Sequence, residues 1–248
     1  MGTAEQQKVV FITGGASGIG LAAAEAFVQR GYATVLADRN AEAGRDVEAE
    51  LGTRGECTFV PCDVADDKSV RGAVARAVRT YGRLDAAFNA AGIDGDYGPL
   101  ADASMENWNR VIAVDLTGTF SCMRHEIPEL VRAGGGAIVN CASVAGLRAA
   151  PTVSAYTAAK HGVVGLTKAG AREYAALGVR VNAICPGTVD TPMFRHSLGS
   201  MAERLAKTNP TQRLADASEI AAVAVWLCDE APGYLTGETI AVDGAAGA

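Results

Sequence analysis

Short apolar runs alternate with helical patterns along nearly the whole of this chain. Lys8-Val-Val-Phe-Ile-Thr13 is an unbroken apolar run of strand length, and Leu21-Ala-Ala-Ala-Glu-Ala-Phe-Val28 after it has the composition of a helix, closed by Gly31. Ala33-Thr-Val-Leu-Ala-Asp38 predicts a second strand, residues 41–51 a helix, and Thr58-Phe-Val60 a third strand leading into Cys62-Asp63-Val64. Asp66 stands where a cap would open a helix ending at Tyr81, and Leu84 to Asn89 predicts the next strand. A long helical pattern covers about Ser104 to Arg132, followed by a strand at Gly136-Ala-Ile-Val-Asn140. The helix holding Tyr156 extends to about Leu177, where Gly178 halts it before Val179-Arg-Val-Asn-Ala-Ile184. A last helix, Ala217–Cys228, and a strand at Glu238-Thr-Ile-Ala-Val242 complete the pattern.

Strands that read as continuous apolar runs are buried on both faces, and repeated β–α alternation requires parallel crossovers. The expected fold is therefore α/β: one Rossmann-like, doubly wound parallel sheet in a three-layer αβα domain over residues 1–248. Its first part, to about 142, would bind a cofactor, and its second would hold the chemistry and the substrate. Ligands bind beyond the carboxyl ends of the strands in such sheets. Gly14, Asp38, Asp63, Asn89, Ser143 and Pro186 all end or follow predicted strands, so they are expected to converge on one edge.

Gly14-Gly-Ala-Ser17-Gly18-Ile19-Gly20 lies between the first strand and the first helix. A dinucleotide pyrophosphate needs that order: a glycine for the turn, a second where backbone meets phosphate, and a third where helix packs on strand. The N–H groups at the helix start then face the anion. Asp38 lies at the end of the second strand, where a carboxylate can hold ribose hydroxyls and repel a 2′-phosphate, which favours NAD over NADP. Arg39 beside it pulls the other way, while Ser17 is uncharged and adds no phosphate clamp.

Length and composition fit this picture. With 248 residues, 49% of them hydrophobic, the chain can bury one sizeable core, and a net charge of −6 without a basic patch argues against nucleic acid or an anionic membrane as partner. No apolar run approaches the roughly 20 residues of a membrane span, and Met1 to Gln7 is too short and polar for a signal peptide. The six cysteines show no CxxC pair and no zinc spacing, so reduced thiols in a cytoplasmic protein are expected, and no metal site. No HExxH and no GxSxG elbow is present.

Tyr156 and Lys160 are one helical turn apart, thirteen positions after Ser143. A phenol with a pKa of about 10 transfers protons poorly at neutral pH, and an ammonium nearby favours the phenolate. A serine hydroxyl beside them can hold a substrate oxygen.

Together these residues resemble the short-chain dehydrogenase/reductase family over nearly the whole chain. The matching segments are Thr13-Gly-Gly-Ala-Ser-Gly-Ile-Gly20, Asp63-Val64, Asn89-Ala90-Ala91-Gly92, Ser143, Tyr156-xxx-Lys160 and Pro186-Gly187. The resemblance implies reversible hydride transfer between a nicotinamide cofactor and a secondary alcohol or ketone, with Ser143 orienting the oxygen and Tyr156 as general acid and base. It also implies that Lys160 holds the nicotinamide ribose, that Asp63-Val64 contacts the adenine, and that Asn89 to Gly92 supports the sheet under the cofactor. Pro186, Gly187, Thr188, Val189 and Thr191 would lie along the nicotinamide, with Thr188 near its carboxamide. A homotetramer is implied as well. A nucleotide-dependent isomerase or dehydratase on the same scaffold is an alternative, as is a non-catalytic NAD sensor.

Asp115 departs from the family, which carries asparagine there and whose backbone carbonyl holds a water linked to the lysine. A carboxylate near Lys160 would offset part of the positive field on Tyr156, so an alkaline-shifted activity profile is expected. For the substrate, residues 188–213 carry Met193, Phe194, Leu198, Met201 and Leu205 and suit a flap. Leu147, Tyr97 and Asp94 are expected to border the pocket. An apolar flap suggests an alicyclic alcohol or ketone, although those residues would equally serve packing or a subunit contact. Arg148 and Arg195 are the cations that an acidic substrate would meet, if they are not simply solvated.

Overall fold

A computed structural model describes residues 7–199 and 201–248, with backbone alone for Leu198 and for residues 201–203. Met1 to Gln6, read above for a leader, lie outside the described residues, as do the side chains of Leu198 and Met201. Seven strands form one parallel sheet: β1 (Val9–Thr13), β2 (Ala33–Asp38), β3 (Cys57–Pro61), β4 (Ala86–Asn89), β5 (Gly136–Cys141), β6 (Val179–Pro186) and, last in the chain, β9 (Thr239–Val242). Their spatial order is β3-β2-β1-β4-β5-β6-β9. The direction of winding reverses between β1 and β4, whose ends pair Thr13 with Asn89. A crevice opens at such a switch point.

All five residues of β1 are buried, because the sheet is covered on both sides. Val9 and Phe11 join one core cluster and Val10 and Ile12 the other, as the two-residue strand period requires. Helices α1 (Gly18–Gln29), α2 (Ala41–Leu51) and α9 (Ala217–Asp229) flank the sheet, as do α3 (Asp67–Tyr81), α5 (Gly118–Arg132) and α6 (Ser154–Tyr174). Asp66 caps α3 through Lys68 N–H at 3.0 Å, as its position predicts.

The long helical pattern from Ser104 does not form one regular helix. It divides into α4 (Met105–Val111), a π-helical turn over Ile112–Thr117, and α5. The wider turn carries Asp115, and such turns recur at functional sites. Nor is the flap without internal structure. Its ends pair as a two-residue parallel ribbon, β7 (Val189–Asp190) with β8 (Ala215–Asp216), enclosing α7 (Pro192–Leu198) and α8 (Met201–Thr208).

Asn89 Nδ2 donates to Glu126 Oε2 and to Asn140 Oδ1, each at 3.0 Å, and Asn140 Nδ2 donates to Thr167 Oγ1 at 3.0 Å. This buried chain joins β4, β5, α5 and α6 directly beneath the loop that follows Asn89. Burial pushes the Glu126 carboxyl up to about 8, against the lowering effect of the Asn89 hydrogen bond. The folded protein thus keeps Glu126 neutral while the unfolded chain ionises it near 4.5. Its contribution to stability is complete below pH 4.5 and is lost as pH rises toward 8. Replacing Glu126 with Gln should therefore flatten the decline of unfolding free energy between those limits, worth roughly 4 kcal/mol in the parent. Urea titrations of both proteins at pH 5 and pH 8 check this.

Candidate active site

A cavity of about 400 Å³ lies across the switch point, lined by residues from the ends of β1, β2, β4, β5 and β6. At its glycine-turn end, Gly14 and Gly18 adopt φ of +66° and +54°, a region that side chains rarely enter. A Cβ on Gly20 would collide with the Gly14 carbonyl, so strand end and helix start touch only because both residues are glycine. Ser17 stands at the N-cap of α1 without a side-chain cap bond, and no acid occupies the first turn. Ser17, Gly18, Ile19 and Gly20 line the cavity there. Uncapped N–H groups at the positive end of a helix fit a pyrophosphate.

Asp38 sits at the end of β2 on the same cavity. Its Oδ1 accepts from Asn40 N at 2.9 Å and its Oδ2 from Ala16 N at 3.2 Å, which fixes the carboxylate toward the glycine loop. Arg39 lines the rim, exposed and with no ion pair among the described residues. Asp63 and Val64 form one wall, and Ala90, Ala91 and Gly92 another. Pro186, Gly187, Val189 and Thr191 line the far end with Met193 and Phe194 of α7.

Two residues expected to meet the cofactor are elsewhere. Asn89 is 4% exposed and turns inward to Glu126 and Asn140, so it holds the strand ends while its neighbours Ala90 to Gly92 meet the cavity. Thr188 faces an adjoining cavity of about 300 Å³, where its Oγ1 is buried without a hydrogen-bond partner. An orphaned hydroxyl needs an external partner, and a carboxamide would supply one. Leu147 borders neither cavity and is exposed, and Arg195 is tied to Asp190 by two bonds of 2.6 Å. Tyr97, Asp94, Arg148, Phe194 and Leu205 do border the second cavity.

Ser143, Tyr156 and Lys160 lie together on the first cavity, and Lys160 Nζ is 5.3 Å from the centre of the Tyr156 ring. Ser143 opens a short helical turn after β5, its Oγ accepting from Ala145 N at 3.1 Å. Lys160 is 4% exposed and donates to the Cys141 carbonyl at 3.0 Å. Its other neighbour is Asp115 Oδ2 at 3.3 Å. That contact is electrostatic, since Oδ2 has no aligned hydrogen-bond donor. Asp115 Oδ1 accepts from Ile93 N at 2.9 Å, and its backbone carbonyl accepts from Thr119 Oγ1 at 2.7 Å. Asp115 itself is fully buried and does not line the cavity; it reaches the site through Lys160.

The spacing of Tyr156 and Lys160 implies a phenol made more acidic, and the structure modifies that expectation. Burial is the largest influence and pushes the Tyr156 phenol up to about 12. Lys160 and the Ser143 hydroxyl lower it, and Asp115 raises it. Burial also raises Asp115, opposed by Lys160, while desolvation, the largest single influence on Lys160, is outweighed by Asp115, Tyr156 and Cys141 together, which keeps the ammonium protonated. The lysine therefore acts in the expected direction, against a larger penalty that spacing cannot reveal. Sequence reasoning also missed Cys141, whose carbonyl holds Lys160, and Ile93, whose N–H holds Asp115. Cys141 ends β5, a signal that could have found it, whereas Ile93 lies four residues beyond β4 in the loop after Asn89 and carries no such mark.

This geometry defines a nicotinamide-dependent oxidoreductase of the Rossmann type, and comparison with known proteins agrees. The family described as "Enoyl-(Acyl carrier protein) reductase" matches residues 14–246. Cyclohexanol dehydrogenase of Acinetobacter sp. (strain SE19) is 42% identical over 239 residues, covering 96% of this chain and 94% of that one. The 2,5-dichloro-2,5-cyclohexadiene-1,4-diol dehydrogenase of Sphingobium indicum (strain B90A) is 40% identical over 241 residues, covering 96% of each. The crystal structure of levodione reductase superposes with a TM-score of 0.92 at 35% identity, over 96% of both chains. The chain belongs to the short-chain dehydrogenase/reductase family, whose members act on CH–OH groups with nicotinamide cofactors. Among the described residues no helix is long and apolar enough to cross a membrane, and no cluster could hold a metal ion.

Proposed function

We propose that this protein interconverts an alicyclic secondary alcohol and its ketone with NAD, and that Ser143, Tyr156 and Lys160 carry the proton chemistry. The convergence of these three side chains on the cavity that adjoins the glycine turn supports this reading most strongly. When bound, the nicotinamide accepts or returns the hydride at its ring carbon. Ser143 Oγ holds the substrate oxygen. Tyr156 Oη takes the alcohol proton in oxidation and returns it in reduction, and Lys160 Nζ favours the ionised phenol and holds the ribose. Thr188 Oγ1, Pro186, Gly187, Val189 and Thr191 position the nicotinamide end, and Gly14, Ser17, Gly18, Ile19 and Gly20 the pyrophosphate. Asp63 and Val64 border the adenine, with Ala90, Ala91 and Gly92 opposite. Two relatives with about 40% identity are named for six-membered-ring alcohols, and the second cavity is lined by Val144, Ala145, Val153, Phe194 and Leu205, which suits such a ring.

Asp38 supports NAD because its carboxylate is held by two backbone N–H groups at the β2 end. Its replacement by Ala, with Arg39 left in place, should lower the NAD-to-NADP ratio of kcat/KM by about tenfold or more. Asp115 deepens the cost of ionising Tyr156, so its replacement by Asn should move the pH dependence of oxidation toward acid. Exposed Met105, Trp108 and Phe120 on α4 and α5 support subunit contacts and hence the homotetramer, which light scattering tests. Six unpaired cysteines are consistent with the reducing cytoplasm. The reading as a whole is tested by following NADH formation with cyclohexanol and its ring-substituted analogues. Turnover with net NADH expresses the proposed activity; product formed without net NADH would replace it by an isomerase or dehydratase.

A further inference from the structure

The two cavities meet at five residues that line both: Asp94, Ser143, Tyr156, Gly187 and Phe194. Ser143 and Tyr156 mark the reacting oxygen, so the third polar side chain of that junction, Asp94, stands where the rest of the substrate must pass. Asp94 is partly buried in the loop after β4, and its carboxylate makes no hydrogen bond or ion pair among the described residues. Nearby cations are already engaged. Arg110 pairs with Asp96 at 2.8 Å, Lys160 with Asp115 at 3.3 Å, and Arg148, on the second cavity, faces Asp243 at 3.8 Å. A half-buried carboxylate with no donor of its own, beside two groups that hold an alcohol oxygen, is an acceptor awaiting a donor.

We propose that Asp94 is a specificity-determining residue that accepts a hydrogen bond from a second hydroxyl on the substrate, so that the preferred substrates are neutral alicyclic diols or hydroxyketones. This rests on the ring-alcohol reading above and narrows it. The charge arrangement excludes the alternative of an acidic substrate. Among the described residues Asp94 has no ion-pair partner, and Arg148, the one cation of those residues lining the second cavity, already has Asp243 beside it. A carboxylate or phosphate on the ring would meet net negative charge. A hydroxyl meets an ionised acceptor, a class of hydrogen bond worth about 1.5–3 kcal/mol, which is about 10- to 100-fold in kcat/KM.

The experiment measures kcat/KM at saturating NAD for cyclohexanol, the cyclohexanediols with 1,2, 1,3 and 1,4 substitution, 4-hydroxycyclohexanecarboxylate and 4-aminocyclohexanol. The parent, Asp94→Ala and Asp94→Asn are compared. At least one diol should exceed cyclohexanol by about tenfold or more in the parent, with the carboxylate below cyclohexanol. Asp94→Ala should collapse the diol-to-cyclohexanol ratio toward one, and Asp94→Asn, which keeps an acceptor oxygen, should retain part of it. Equal losses on all substrates, a ratio untouched by Asp94→Ala, or an aminocyclohexanol preferred over every diol would each overturn the proposal. So would a variant whose defect lies only in the KM for NAD. If the parent turns over cyclohexanol with no diol preference, the proposal alone fails; if it turns over no ring alcohol, the ring-alcohol reading fails with it.

Discussion

Replacing Tyr156 with Phe should lower kcat by about 10³-fold while leaving the affinity for NAD within a few-fold of the parent. The substitution removes one oxygen and keeps the ring that packs beside Lys160, whose Nζ lies 5.3 Å from the ring centre. The glycine turn, Asp38 and Asp63 hold their places in the same cavity without any contact from the phenol oxygen. Chemistry and binding are therefore separable by this change. Ser143 would remain beside the substrate oxygen, while the proposed proton acceptor would be gone. Steady-state kinetics with fluorescence titration of NADH separates the two effects; retained parental turnover would remove Tyr156 from the mechanism.

The second large effect is expected at Lys160. In Lys160→Met the Cys141 carbonyl loses the Lys160 donor, and the fully buried Asp115 loses the opposite charge 3.3 Å away. Breaking one side of a buried ion pair costs about 3–5 kcal/mol, because the remaining charge is left in the interior or must bind a proton. Tyr156 loses the larger of the two influences that oppose its burial, so activity falls along with stability. The double variant Lys160→Met with Asp115→Asn tells these apart. It should recover most of the lost stability in urea titrations and none of the lost turnover. Recovery of both would mean that Lys160 acts only by holding the fold.

Much of this was legible in the sequence because it depends on local chemistry. The short, largely apolar segments at Val9–Thr13 and Val179–Pro186 read as strands beside glycine-stopped helices, and β–α alternation then implies a parallel sheet with its ligand edge at the carboxyl ends. Gly14, Gly18 and Gly20 are readable because their lack of a side chain is the function. What was not legible depends on packing between distant segments. Asn89 occupies a strand end like the cavity-lining residues beside it, but its partner Glu126 lies 37 positions on, and only the fold shows that the amide turns inward. Similarly, the pattern from Ser104 to Arg132 is periodic throughout, so nothing local marks the wider turn at Asp115. The acidity of Tyr156 is the clearest case. Spacing supplies the lysine, whereas the dominant burial is set by every element that covers the site.

That balance of charge and burial around one phenol is the central claim, and the pH dependence of kcat/KM for alcohol oxidation tests it most directly. With Asp115 beside Lys160 raising the phenol, the parent should reach its plateau on the alkaline side. Asp115→Asn removes a charge that raises Tyr156, and its profile should move toward acid by about one pH unit. Profiles that overlay would contradict the account, for the phenol would then be insensitive to the pair that is held to tune it.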